Sequence, residues 1–166
     1  MLAAHGLRAS GLSVHEPMTK PQVSLDYLTK GTRYASDLSA PEVNADEMFR
    51  LGWMDADKAF PLTRYTLARV LPVVERYGIF LAIEPHGEFT TMVEGPERML
   101  GLQPSPMVRV NFDTGNTLLT GGGQDPYVFL EHFADWVVHV HPKDIGGVLL
   151  EMVSQVAGTP TGVACR

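Results

Sequence analysis

A single cysteine, Cys165, stands in 166 residues. No disulfide can close within the chain, and a reducing, cytoplasmic setting is the expectation. Basic clusters are lacking as well. Lys and Arg number 13 against 19 Asp and Glu, for a net charge of −6, which speaks against a nucleic-acid surface. No apolar run approaches the roughly 20 residues that cross a bilayer, so no membrane partner is expected. The opening MLAAHGLRASGL has no long apolar core of the kind an export signal carries. Nor does an Asn-Gly pair or similar hairpin signal join two apolar runs. What remains is a globular composition, 45% hydrophobic, long enough to be one domain over residues 1–166 with its own core.

Three short apolar runs each end in a residue able to bind a metal. Phe80 to Ile83 ends in Glu84, Met107 to Phe112 in Asp113, and Val137 to Val140 in His141. Glu84 and Asp113 are 29 positions apart, and Asp113 and His141 are 28 apart. That interval holds one strand, one helix and two loops. A polar group recurring at each strand's exit is the pattern of a parallel barrel with its site at the C-terminal face. Strand alternation agrees. Phe80, Ala82 and Glu84 share a face; so do Arg109, Asn111 and Asp113, and Val137, His139 and His141. The opposite faces (Ile79, Leu81, Ile83; Val108, Val110, Phe112; Trp136, Val138, Val140) are wholly apolar and suited to packing under helices.

The other elements follow in order. Residues 6–15 read as a strand, preceded by a stub resembling a helix end. Gln22 to Leu38 has helical spacing. Ala40 to Asp46 is a second strand, with Asn44 again 29 positions after His15. Residues 47–53 form a loop able to cover a site. Asp55 to Tyr77 is a long helix in which Pro61 and Pro72 predict a break or kink, ended by Gly78. Ile79 to Glu84 is the third strand. Gly95-Pro96 opens a short helix closed by Pro104 and Pro106. Met107 to Asp113 is the fourth strand, and Gly121 to Gln124 a loop. Asp125 caps a helix over Pro126 to Asp135, and the last strand ends at His141. After Asp144 the pattern thins to one apolar patch, Val148 to Val153. Five strands alternating with helices mean a parallel sheet. A closed eightfold barrel typically needs about 250 residues, so about five of eight βα units are expected here.

IEPHG around Glu84, NFDTGN around Asp113 and HVHPKD around His141 resemble the sugar phosphate isomerase/epimerase family, whose fold is the xylose isomerase-like TIM barrel. The resemblance extends to GLRASGLSVH and APEVNADE. It implies an incomplete barrel that lacks the first two strands and the last. It also implies a divalent metal, Mn²⁺ or Mg²⁺ first, Co²⁺ or Zn²⁺ next, on Glu84, Asp113 and His141. The family's fourth ligand, a second glutamate, belongs to the absent last strand. His141 is preferred over His139 because the family's histidine sits in His-x-Lys-Asp. The implied reaction moves a proton on a sugar or sugar phosphate through an enediolate, with Glu84 as a catalytic base.

Each residue also has a plainer reading. Glu84 is otherwise a solvated strand-end carboxylate, and Asp113 a turn former. His15, His86 and Asn116 are candidate substrate contacts. Lys143 either holds a substrate phosphate or hydroxyl, or pairs with Asp144. His139 reads as a hydrogen-bonded histidine of the barrel interior, and His5 and His132 as surface. Two alternatives stay open: a different chemistry on the same metal scaffold, such as a dehydratase or an endonuclease IV-like hydrolase, the latter disfavoured for want of a His-rich multi-metal site and a basic groove, or a non-catalytic fragment. Unpaired sheet edges would favour association with a second copy, a homo-oligomer.

Overall fold

The computed structural model describes residues 2–46, 54–86, 90, 93–120 and 125–143. Five strands, β1 (Leu12–Val14), β2 (Glu42–Asp46), β3 (Phe80–Glu84), β4 (Val108–Asp113) and β5 (Val137–His141), lie side by side in chain order. Every neighbouring pair is parallel. Helices α1 (Pro21–Leu38), α2 (Ala56–Tyr77), α3 (Glu94–Leu102), α4 (Thr114–Thr120) and α5 (Pro126–Phe133) make the crossings. The sheet curls into part of a barrel, and its strand order, each strand beside the next in sequence, is that of a barrel.

The apolar strand faces meet the helices. Val43, Ala45, Leu81, Ile83, Val108, Val110 and Phe112 are all buried. From α2, Leu67, Val70, Leu71 and Val74 pack into the same core. Phe112 stacks on Phe129 of α5 at 5.7 Å between ring centroids. Gly31 lets α1 close on β1, because a Cβ there would stand 2.5 Å from Val14 Cγ2. Gly78 ends α2 in the left-handed region at φ 64°. Asp125 caps α5 by accepting the Tyr127 amide at 2.9 Å, with Pro126 at the first helical position.

Four expectations change. The first strand spans Leu12–Val14, not residues 6–15. Leu2–His5 is a 3₁₀ turn closed through Gly6 at φ 67°, and only three residues of β1 reach the β2 ladder. α2 runs unbroken through Pro61 and Pro72. Both prolines lie on its exposed side, as do Asp57 and Ala68, whose carbonyls lose a helical partner and can turn to water. The helix α4, unforeseen, starts directly after Asp113. The outer face of β5 is open among the described residues, with Val140 44% exposed. Residues 47–53, the Gly121–Gln124 loop and the patch after Asp144 lie outside the described residues.

One irregularity matters for the site. β4 and β5 pair Val110 with Val137, then Asn111 with His139 and Asp113 with His141. Val138 is the extra residue of a bulge. Past it, both histidines face inward beside Asn111 and Asp113, while Val137, expected on their face, pairs with Val110 and packs against the core on the helix side.

Candidate metal centre

Glu84, Asp113 and His141 are the last residues of β3, β4 and β5. Parallel pairing brings their side chains to one rim, where one ligand atom from each lies within 4.8 Å of the other two. His141 Nδ1 is 3.2 Å from Glu84 Oε2 and 3.9 Å from Asp113 Oδ2. Glu84 and Asp113 are 2% and 0% exposed.

Glu84 is held from both neighbouring strands. Asn44 of β2 donates its side-chain N–H to Glu84 Oε2, and so does Asn111 of β4, at 2.9 Å. The Asn111 amide also stands 3.1 Å from His141 Nδ1. Burial pushes the Glu84 carboxyl up. The Asn44 amide first, then the His86 and His141 imidazoles, outweigh it and hold the group below the usual carboxylate range. Glu84 is therefore kept ionised, the form a metal needs.

Asp113 divides its two oxygens. Oδ1 accepts the backbone N–H groups of Gly115 at 3.0 Å and Asn116 at 2.8 Å, which caps α4. Oδ2 is buried, and its partner among the described residues is the Lys143 ammonium, 2.6 Å away. The turn and ligand readings of Asp113 thus fall on different atoms.

The candidate substrate contacts surround this group. His86 Nε2 is 3.6 Å from Glu84 Oε1 and His15 Nε2 is 3.9 Å from Glu84 Oε2. Their rings meet edge to face with centroids 5.0 Å apart. Asn116 Nδ2 reaches Glu84 Oε1 at 3.4 Å. Lys143 donates to Asn116 Oδ1 at 2.9 Å. Its described ionic partner is Asp113 of β4, while Asp144 lies outside the described residues. His15, Glu84 and His86 make a second grouping of metal-ligand type on the exposed side of Glu84. His5 is exposed, and His132 pairs with Glu97 at the surface, 3.0 Å apart.

One layer deeper, His139 places Nδ1 3.1 Å from Asn111 Oδ1 and Nε2 3.3 Å from Ser10 Oγ. Burial and the nearby His141 lower its pKa, against the pull of Glu84. Glu42 of β2 is 1% exposed, with Oε1 3.9 Å from His139 Nδ1. Burial first, and then the Glu84 charge, push its carboxyl up to about 7. Asn44 marks the repeat in the sequence, 29 positions after His15, yet neither it nor Glu42 is among the candidate site residues. The alternation that points Asp113 inward points both of them inward too.

The donor set fits a hard divalent cation. Two carboxylate oxygens and an imidazole nitrogen converge, one carboxylate is held ionised, and the buried Asp113 Oδ2 is answered among the described residues by a single ammonium, that of Lys143.

Comparison with known proteins agrees with the fold. A family model described as the xylose isomerase-like TIM barrel matches residues 1–157. An inosose dehydratase of Geobacillus kaustophilus is 32% identical over 88 residues, which is 52% of this chain and 28% of that enzyme. The solved structure of a 3-keto-D-glucoside 4-epimerase from E. coli superposes with a TM-score of 0.74 at 14% identity, over 93% of this chain and 70% of that one. The IOLI protein, solved with a bound zinc atom, gives 0.69 at 13% identity, over 87% and 55%. The chain therefore spans only part of the length of each protein it matches. At these identities the two structures establish the fold alone.

Proposed function

The chain belongs to the xylose isomerase-like TIM barrel family, and from that premise we propose that it serves an enzyme of sugar or polyol chemistry. The reaction is proton transfer at the carbon beside a carbonyl, with a divalent cation held by Glu84, Asp113 and His141. The observation that carries this reading is the convergence of Glu84 Oε2, Asp113 Oδ2 and His141 Nδ1 at the exits of three successive strands. Mn²⁺ or Mg²⁺ suits two hard oxygens and one imidazole, and Zn²⁺ or Co²⁺ is compatible with the same donors.

When bound, such a cation supplies Lewis acidity, polarising the carbonyl so that the neighbouring C–H loses its proton more readily. The chain's own residues supply the rest. Asn44 and Asn111 fix Glu84, and the Asn44 amide with the nearby imidazoles keeps it ionised. We assign Glu84 as the group that accepts the proton, through Oε1, which faces His86 and Asn116. On this reading His15, His86, Asn116 and Lys143, which surround Glu84 and Asp113, hydrogen-bond substrate hydroxyls.

A dehydratase reading has its own support in the inosose dehydratase similarity. It shares the first step with an isomerase or epimerase and differs in what leaves afterwards. The test is deuterium uptake from D₂O into a panel of ketoses and an inosose, with Mn²⁺ present. Exchange that Glu84→Gln abolishes supports proton transfer at this site. Product of unchanged mass apart from label means isomerisation or epimerisation, and product lighter by one water means dehydration. Absence of exchange across the panel overturns the reading.

A further inference from the structure

Asp113 can offer a cation only one oxygen. Oδ1 is committed to the amides of Gly115 and Asn116, and turning it away would uncap α4. Oδ2 is the remaining oxygen, and the Lys143 ammonium already lies 2.6 Å from it. The lysine is held there by construction. Thr114 Oγ1 donates to the Lys143 carbonyl at 2.9 Å and accepts from the Lys143 amide at 2.7 Å, so residue 143 is clasped to the first turn of α4. The ammonium has a second anchor in Asn116 Oδ1 at 2.9 Å. Two positive charges on one buried carboxylate oxygen repel strongly where water is scarce.

We propose that Lys143 is a built-in counter-cation, occupying Asp113 Oδ2 until a divalent cation displaces it toward Asn116. This rests on the reading of Glu84, Asp113 and His141 as the cation site. Without the lysine, two buried carboxylates, Glu84 and Asp113, would face each other with less compensation, which is costly. With it, the metal-free chain is neutralised in part, and cation affinity is reduced by the cost of moving the ammonium. The Asn116 carbonyl keeps one hydrogen bond to the displaced side chain, so Nζ stays at the cavity wall.

The experiment is calorimetric titration of Mn²⁺ into the full chain at fixed pH and ionic strength. It compares wild type, Lys143→Met, Asp113→Asn and the double variant. An opposite charge a few ångströms away biases a carboxylate by one or more log units, so Lys143→Met should bind Mn²⁺ about tenfold tighter. In the Asp113→Asn background the same substitution should change the affinity little. Melting gives a second readout. Lys143→Met should melt lower than wild type without metal and gain more on Mn²⁺ addition. Lys143→Gln, which keeps a donor toward Asn116, should show the same tightening. Equal or weaker binding by both lysine variants overturns the displacement and leaves the cation site standing. Absence of binding heat in every protein removes the cation site and the proposal together.

Discussion

Across the seam between β3 and β4, Asn111 gives its side-chain N–H to Glu84 Oε2 at 2.9 Å. The Asn111 carbonyl in turn lies 3.1 Å from His139 Nδ1, so one amide is fixed at both ends. Asn111 is fully buried, and its loss would leave both neighbours short of a partner. Asn111→Ala should cost about 1–3 kcal/mol in urea unfolding. It should also weaken Mn²⁺ binding by about 10- to 100-fold, the usual consequence of removing an outer partner of a ligand. Mn²⁺ affinity equal to wild type would show that this amide has no part in aiming the ligand.

The two oxygens of Asp113 separate folding from ion binding. Asparagine is as good a helix cap as aspartate, whereas alanine is a poor one. Asp113→Asn should therefore melt close to wild type while losing most of its Mn²⁺ heat. Asp113→Ala should lose the heat and about 1–2 kcal/mol of stability as well. Paired melting and calorimetry on the two variants decide the matter. Full Mn²⁺ binding by Asp113→Asn would reject Oδ2 as a ligand.

Glu42 gives stability a pH dependence of unusual sign. Its carboxyl is raised from the ordinary 4.5 to about 7, by burial and then by Glu84. Between those values the folded chain keeps a proton that the unfolded chain has lost. This group's contribution is therefore complete below pH 4.5 and falls as pH rises through 7. The loss is about 3 kcal/mol by pH 8. Glu42→Gln keeps the shape without the proton, so the variant should overtake wild type in urea unfolding at pH 8. At pH 4.5 the two should be close. A constant gap between them at both pH values would refute the shift.

Helix α1 touches β1 through a glycine. A methyl group at Gly31 would stand 2.5 Å from Val14 Cγ2. Alanine favours a helix interior by about 1 kcal/mol, but overpacking costs about 1–3 kcal/mol, and Val14 is a β-branched residue with little room to rotate. Gly31→Ala should thus lower the melting temperature, and Val14→Ala in the same chain should recover part of that loss. A Gly31→Ala variant that melts higher than wild type would mean the helix can slide outward at no cost.

Much of this site could be read before any coordinates. Strand alternation together with the near-equal spacing of Glu84, Asp113 and His141 leads to three adjacent strand ends, and these are where the side chains meet. Local signals worked where local chemistry decides, as at the Asp125 cap and at Gly78. They failed where one residue serves two elements or where a distant group decides. The segment from Thr114 holds Thr, Gly and Asn, poor helix formers, and its helix is capped by Asp113, which also ends β4. The described ionic partner of Lys143 is Asp113, 30 positions back at the end of a neighbouring strand, while Asp144 lies outside the described residues. No pattern within a single segment reveals the Asp113 pairing. The strand expected over residues 6–15 exceeds β1 because alternation continues past the point where β2 offers hydrogen bonds.

The extra residue at Val138 has a bearing on how this rim tolerates length changes. Val137 stands opposite Val110 and His139 opposite Asn111, so Val138 is the one position of the fifth ribbon that no residue of β4 claims. Its removal would leave plain alternation with both imidazoles still on the inner wall, whereas loss of Val140 would set His141 opposite Phe112 and turn it to the other face. The ribbon therefore carries its slack at a single point, and the ion-binding rim tolerates shortening there and nowhere nearer its tip.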